Sequence, residues 1–225
     1  FKYPESEAYA LKDVSFTIKE GEKVAFIGRI GSGKSTIAKL ILKLDEPQEG
    51  SILIDGIDIS QIDPADLRKK ISYVPQDIHL FRNTIKNNIL GSYKFVDDEW
   101  MIKCSKISGT DEFVKLHPVG YDMPIGERGA GLSGGQRQSV GIARALINDS
   151  KIYLFDEPTN AMDQTSESNV LNNLKENLEE KTLFFFTQKM NMLDLVTRVI
   201  VMNQGEKVLD GDKMEIIKKL GVNNG

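Results

Sequence analysis

Apolar and polar residues alternate over 14–18, the period of a half-buried strand, and Glu20-Gly21-Glu22 turns the chain into an apolar run at 23–27 that predicts a buried strand. A glycine-rich loop follows at once. From 34 to 44 the residues Ile37, Ala38, Leu40, Ile41 and Leu44 recur at helical spacing, so the loop lies between a strand and a helix N-terminus. Next come a short strand pair around 51–59, a helix after Asp63-Pro64 with proline at a tolerated first-turn position, and a strand at 71–74. Residues 78–147 read as mostly helical, with amphipathic stretches at 84–90, 98–107 and 111–116, a glycine-rich interruption at 126–135 and a longer helix over 136–147. The strand pattern resumes at 151–155, followed by a helix at 164–179, strands at 182–186 and 198–202, a turn at 203–206, a strand at 207–209 and a last helix from Asp212. Strands alternating with helices predict an α/β fold with a largely parallel sheet covered on both faces. The whole chain, 1–225, reads as one domain, with 1–77 and 148–225 as its core and 78–147 as an inserted helical subdomain.

Composition narrows the class. With 225 residues, 40% of them hydrophobic, the chain can bury a substantial core. A net charge of −4, from 29 basic and 33 acidic residues well mixed along the chain, gives no electrostatic footprint for nucleic acid or an anionic membrane surface. A local phosphate site stays open. The single cysteine, Cys104, has no partner for an internal disulfide, and His79 and His117 lie too far apart for a metal-binding spacing, which fits a reducing cytoplasmic setting. No apolar run approaches the ~20 residues of a membrane-spanning helix. Phe1-Lys2-Tyr3-Pro4 carries neither an initiator methionine nor a signal-peptide pattern, and predicts a start inside a longer polypeptide.

Gly28-Arg29-Ile30-Gly31-Ser32-Gly33-Lys34-Ser35-Thr36 fills every position of the phosphate-loop pattern G-x-x-x-x-G-K-[ST], between strand and helix as that pattern requires. Glycines there let the backbone wrap a polyphosphate with its amides inward, and the helix adds the positive end of its dipole. Lys34 would contact the β- and γ-phosphates of ATP, and the Ser35 hydroxyl would ligate Mg²⁺. The run 152–157 is an apolar strand ending in two carboxylates. Alone, a strand that ends Asp-Glu-Pro is as readily a solvated turn. Beside a phosphate loop, Asp156 reads as the Mg²⁺ partner and Glu157 as the group that orients or deprotonates the attacking water. Leu132-Ser133-Gly134-Gly135-Gln136 opens a helix, where it reads either as a second phosphate cradle or as an ordinary helix cap.

That pentapeptide, set between a phosphate loop and an Asp-Glu strand, resembles the signature of ABC-family ATPases, and the resemblance spans the whole chain. It implies a P-loop NTPase core with a mostly parallel sheet, an antiparallel β subdomain and an inserted helical subdomain. It also implies a working dimer in which two such domains sandwich two ATPs head to tail, Ser133, Gly134, Gly135 and Gln136 of one completing the phosphate loop of the other. Tyr3 resembles the aromatic that stacks on adenine. Gln76 is similar to the glutamine that senses Mg²⁺ and the γ-phosphate, Ala161-Met162-Asp163 to the loop that crosses the dimer interface, and Gly126-Glu127-Arg128-Gly129 to an exporter segment facing the membrane domain. A solvated charged turn is the plainer reading of that last segment. One position departs from the family pattern. Where the family has a switch histidine after the strand, this chain has Gln188, which donates a hydrogen bond but cannot titrate near neutral pH, so binding should survive better than turnover.

The wording of residues 63–76, 81–89 and 192–196 resembles exporters of the type I secretion class, which implies protein or peptide export from the cytoplasmic face of a bacterial inner membrane. The implied partners are a transmembrane exporter domain, a membrane-fusion protein and an outer-membrane channel. Lipid, drug and peptide exporters have similar ATPase domains. A nucleotide-dependent regulatory module with weak hydrolysis is the alternative that Gln188 keeps open and Glu157 opposes. A DNA-repair ATPase of the same superfamily would need a long coiled coil between phosphate loop and signature, and none is visible.

Overall fold

The computed structural model describes residues 1–4, 6–93 and 95–221. In chain order its strands are β1 (Lys23–Ile27), β2 (Leu53–Ile54), β3 (Ile57–Asp58), β4 (Ile71–Val74), β5 (Asn83–Thr84), β6 (Pro124–Ile125), β7 (Ile152–Asp156), β8 (Thr182–Thr187), β9 (Arg198–Asn203) and β10 (Glu206–Asp212). Its helices are α1 (Lys34–Ile41), α2 (Pro64–Lys70), α3 (Ile85–Leu90), α4 (Asp98–Ile107), α5 (Thr110–Val114), α6 (Gly134–Ile147), α7 (Gln164–Asn177) and α8 (Lys213–Lys219). They form an α/β fold divided into two compact units. One holds Phe1–Ile71, Lys151–Asp156 and the chain from Lys181 on, and the other holds Ser72–Ser150 and Glu157–Glu180. No helix among the described residues is long and apolar enough to cross a membrane.

The first unit is built on strands ordered β10-β9-β1-β8-β7, parallel except for β10, which returns antiparallel to β9 through the Gln204-Gly205 turn. All six residues of β8 are buried, which accounts for its continuous Thr-Leu-Phe-Phe-Phe-Thr run rather than an alternating one. Its aromatics fill both faces of the sheet. Phe184 and Phe186 stack on Phe26 at centroid distances of 6.0 and 5.0 Å, while Phe185 stacks on its register partner Phe155 at 5.0 Å. Such pairs add roughly 0.5–1.5 kcal/mol each beyond their buried area.

Three local outcomes differ from the sequence reading. Residues 14–18 keep the expected alternation, with Val14, Phe16 and Ile18 half-buried and Ser15 and Thr17 exposed, yet they form no strand. Phe16 packs edge-on against Phe26, and the Thr17 carbonyl accepts from the Arg198 guanidinium at 2.8 Å, so that carbonyl is engaged by a side chain. Helix α1 ends at Ile41, before the expected 44. Lys43 takes a left-handed φ of 50°, and the N–H groups of Lys43 and Leu44 bond back to the carbonyls of Leu40 and Lys39, a Schellman ending with lysine where glycine is usual. The third difference is an antiparallel pair, β5 with β6, of two residues each in the second unit.

The antiparallel pair β2 and β3 turns through Asp55-Gly56, both with positive φ, the combination a two-residue hairpin needs. Helix α2 starts as expected, its Asp63 cap accepting from Ala65 N–H at 2.8 Å ahead of Pro64.

In the second unit α6 is the central helix, packed by α3, α4 and α5. On one side Gly141 admits Ile78, from the segment after β4, because a Cβ there would meet it at 2.5 Å. Arg144 lies under Phe81, its guanidinium donating to the carbonyls of Asn88 and His79 at 2.7 and 3.0 Å. Thr84 caps α3 by accepting from Asn87 N–H.

Candidate functional site

The phosphate-loop segment leaves the carboxyl end of β1. Its first residue, Gly28, passes so close to β9 that a Cβ would meet the Met202 carbonyl oxygen at 2.2 Å, so glycine is required by space. The loop then turns back on itself through Ser32 N–H to Arg29 O at 3.1 Å, and is tied to the β9–β10 turn by Gly205 N–H to Ser32 O at 3.2 Å. Arg29, Ile30 and Gly31 form its exposed crest, while Ser32 is buried.

Lys34 is buried and folds over the inside of the loop. Its ammonium donates to the carbonyls of Gly28 at 2.7 Å and Arg29 at 3.1 Å and reaches Ser32 Oγ at 3.5 Å. Gly33, with φ 98°, is the N-cap of α1, which has no side-chain cap and no acidic residue in its first turn. A buried cation beside an uncapped helix N-terminus is an anion cradle by charge and by hydrogen-bond direction. Ser35 is half-buried and Thr36 buried in that first turn. The Tyr3 hydroxyl lies 3.1 Å from Thr36 Oγ1, its ring edge-on to Phe1 and under the Lys39 ammonium at 5.5 Å. Tyr3 is therefore held against the start of α1.

Strand register sets what lies beside the loop. Ile27 pairs with Thr187, so Gly28 and Gln188 leave β1 and β8 at neighbouring positions. Asp156 is the register partner of Phe186 at the carboxyl end of β7, and is 2% exposed. Gln188 is exposed, whereas Thr187 is buried and its Oγ1 accepts from Lys189 N–H at 3.0 Å. Phosphate loop, buried carboxylate and polar amide thus share one edge of one sheet, the edge at which open parallel sheets bind ligands. Ser35 and Asp156 are oxygen donors, the chemistry Mg²⁺ selects.

In the second unit, Ser133 and Gln136 form a reciprocal capping box. Ser133 Oγ accepts from Gln136 N–H at 3.1 Å, and Gln136 Oε1 accepts from Ser133 N–H at 2.9 Å. The capping reading of this pentapeptide is thus realised geometrically, and α6 carries no acidic residue in its first turn. The glycines between them admit the 161–163 turn: a Cβ on Gly134 would meet Ala161 Cβ at 2.8 Å, and one on Gly135 the Ala161 carbonyl at 3.1 Å. Asp163 caps α7, accepting from the N–H groups of Thr165 and Ser166 and from Ser166 Oγ at 2.6 Å, with the Ser166 hydroxyl foremost in holding its carboxyl below the ordinary value. A cleft of about 250 Å³ opens between these elements, lined by Glu112, Phe113, Ser133, Gln136, Asp163 and Ser166.

Glu157 is 5% exposed and has a left-handed φ of 46°. Gln76 is exposed just after β4, and the 126–129 segment is a 3-10 turn with Glu127 and Arg128 exposed. Two features escaped the sequence reading. Buried Gln138 bonds main-chain atoms of Glu157 and Ala161, and buried Glu167 accepts from the Thr159 hydroxyl. The legible signal was a polar side chain at 138, four residues before Ile142 on the buried face of α6.

Known proteins resemble this chain over most of its length. A family model described as ABC transporter matches residues 11–160. The chain is 37% identical over 218 residues to the leukotoxin export ATP-binding protein LtxB of Aggregatibacter actinomycetemcomitans, covering 97% of this chain and 31% of that protein. It is 39% identical over 225 residues to the leukotoxin translocation ATP-binding protein LktB of a Pasteurella haemolytica-like species, covering 100% and 31%. With the toxin RTX-I translocation ATP-binding protein of Actinobacillus pleuropneumoniae it shares 38% over 217 residues, covering 96% and 31%. A solved structure described as a bacterial Atm1-family ABC exporter with ATP bound matches with a TM-score of 0.92 at 33% identity, over 96% of this chain and 38% of that one. The chain thus spans 31% of the length of these curated relatives.

Proposed function

Since the chain belongs to the ABC transporter family, we propose that it binds and hydrolyses ATP to drive export through a transmembrane domain, in the class of type I protein or peptide secretion. The observation that carries the reading is Lys34, a buried ammonium folded inside a glycine loop at an uncapped helix N-terminus. Names of relatives that export or translocate toxins support the secretion class.

In this reading residues 28–36 wrap the phosphates, Lys34 swings from its loop carbonyls to the β- and γ-phosphates, and Tyr3 stacks on the adenine. Ser35, Asp156 and Gln76 would hold Mg²⁺, which supplies neutralisation of charge on the phosphoryl oxygens. Glu157, next in the chain after Asp156, accepts the proton of the attacking water. Gln188 donates to the γ-phosphate from the end of β8. Ser133, Gly134, Gly135 and Gln136 act on the nucleotide of a second copy, making an ATP-sandwich homodimer, with Asp163 at the interface. The chain works at the cytoplasmic face of a bacterial inner membrane as part of a longer exporter, alongside membrane-fusion and outer-membrane channel proteins.

A second reading, a nucleotide-dependent module with weak hydrolysis, is favoured by one observation. The residue leaving β8 beside the phosphate loop is an exposed glutamine, which brings no titratable or positive group to the phosphate. Both readings require the cradle. The test is phosphate release from Mg·ATP by the chain and by Lys34→Ala, together with nucleotide binding. Loss of turnover to background and at least about tenfold weaker binding are expected. Unchanged hydrolysis in the variant would overturn the phosphate-loop assignment.

A further inference from the structure

Glu157 adopts a backbone conformation that side-chain-bearing residues avoid, φ 46°, and does so immediately before Pro158, which biases its predecessor toward extended structure. Such a residue costs on the order of 1–3 kcal/mol and persists only where its surroundings hold it. Two donors converge on its carbonyl, Asn160 N–H at 3.3 Å and Gln138 Nε2 at 3.3 Å. The other end of the same amide, Gln138 Oε1, accepts from Ala161 N–H at 2.8 Å.

One side chain therefore closes both ends of the five-residue turn Glu157–Ala161. The amide orientation follows from its partners, because a carbonyl can only accept and an N–H can only donate. Gln138 is 5% exposed and sits two residues past Gln136, on the helix that begins with the capping box. Its length and its two-ended chemistry are both used, so no apolar or shorter residue reproduces the contact.

We propose that Gln138 is a positioning residue for hydrolysis: it sets the direction of the Glu157 carboxylate by clamping the Glu157 carbonyl, and fixes the start of the 161–163 turn with the same amide. The proposal rests on the reading of Glu157 as the base. It makes the aim of that base depend on the position of α6, since one hydrogen bond joins the helix to the Glu157 main chain. Neither of these two bonds reaches the phosphate-loop residues 28–36.

The test compares Gln138→Met, Gln138→Glu and Glu157→Gln by steady-state hydrolysis, ATP binding and thermal unfolding of the whole chain. Gln138→Met removes both bonds at similar volume, and kcat should fall about 10- to 100-fold with KM for ATP within about twofold. Gln138→Glu keeps an acceptor for Ala161 but, ionised, sets a carboxylate against the Glu157 carbonyl. Burial raises the pKa of such a carboxyl, and its protonated form donates again. Its rate relative to the parent chain should therefore recover as pH falls from about 8 toward about 6, a change that loss of packing alone would not produce. Should Gln138→Met fail to fold, the pH profile of Gln138→Glu decides. Parental kcat in Gln138→Met, or a flat rate ratio for Gln138→Glu, overturns the proposal while Glu157→Gln remains inactive. If Glu157→Gln hydrolyses ATP as the parent does, the assignment of the base has failed instead.

Discussion

Ile27 and Thr187 face each other as register partners on neighbouring parallel strands, so Gly28 and Gln188, the residues that follow them, leave the sheet side by side. The ladder itself therefore places position 188 beside the start of the phosphate loop, whatever its side chain.

Replacing Gln188 with histidine tests what that side chain contributes. An imidazole there adds a donor that can carry positive charge toward a phosphoryl group that gains charge during transfer. Gln188→His should raise kcat at neutral pH about tenfold or more. The ratio of variant to parent rate should also acquire a titration near ~6.5, the ordinary histidine range. Equal rates at every pH, measured by phosphate release, would remove the switch role from position 188.

Glu157→Gln is the complementary change, because it keeps shape and hydrogen-bonding length while deleting the proton acceptor. Hydrolysis should fall about 10²- to 10⁴-fold with nucleotide affinity retained. The trapped ATP-bound state should then elute as a dimer in size-exclusion chromatography with Mg·ATP, and as a monomer without it. Turnover at the parental rate would refute the assignment of the base, and a monomer under both conditions would refute the sandwich.

How legible these features were depends on the range over which each is determined. The phosphate loop, the capping box and the Asp63 and Asp212 caps are set by residues within one or two turns, so motif and spacing expose them. The strand at 182–186 is legible for the same reason, its apolar run being continuous, whereas the burial of all six residues of β8 emerges in the structure. Residues 14–18 show the limit: alternation reports that one face is buried, but not whether a neighbour is available to pair, and here Arg198, about 180 residues away, takes the Thr17 carbonyl. The strands β5 and β6 are too short to show a period. Lys43 ends α1 in a conformation usually marked by glycine, so the helix stops without its usual signal. The Gln138 clamp is tertiary, and in the sequence it appears only as a polar residue interrupting an apolar stripe.

Arg198 yields the last prediction. Its Nε and Nη2 bond both oxygens of Asp210 at 2.7 and 3.0 Å, and its Nη1 reaches Glu22 at 3.0 Å and the Thr17 carbonyl at 2.8 Å. Lys207 adds a bond to Asp210 at 3.0 Å. One guanidinium thus joins β9 and β10 to the turn before β1 and to the 14–18 segment. The Arg198 and Asp210 side chains are only 23% and 19% exposed, so this bidentate pair escapes most of the solvent screening that makes surface ion pairs weak. Arg198→Ala should cost about 2–3 kcal/mol, somewhat less than the ~3–5 kcal/mol of breaking a fully buried pair, or a fall in Tm of roughly 5–10 °C. Burial works to raise the Asp210 carboxyl, but its hydrogen bonds to Arg198 and Lys207 outweigh that effect and hold it below the ordinary value. A depressed folded-state pKa contributes stability that is fully present above the unfolded pKa of ~3.9 and is lost as pH falls through the folded one. The stability gap between the parent chain and Asp210→Asn, from urea unfolding, should accordingly be constant from pH 7 to about pH 5 and narrow below about pH 4. A gap that stays the same down to the acid limit of folding would mean that the ion pair is not what stabilises this corner of the sheet.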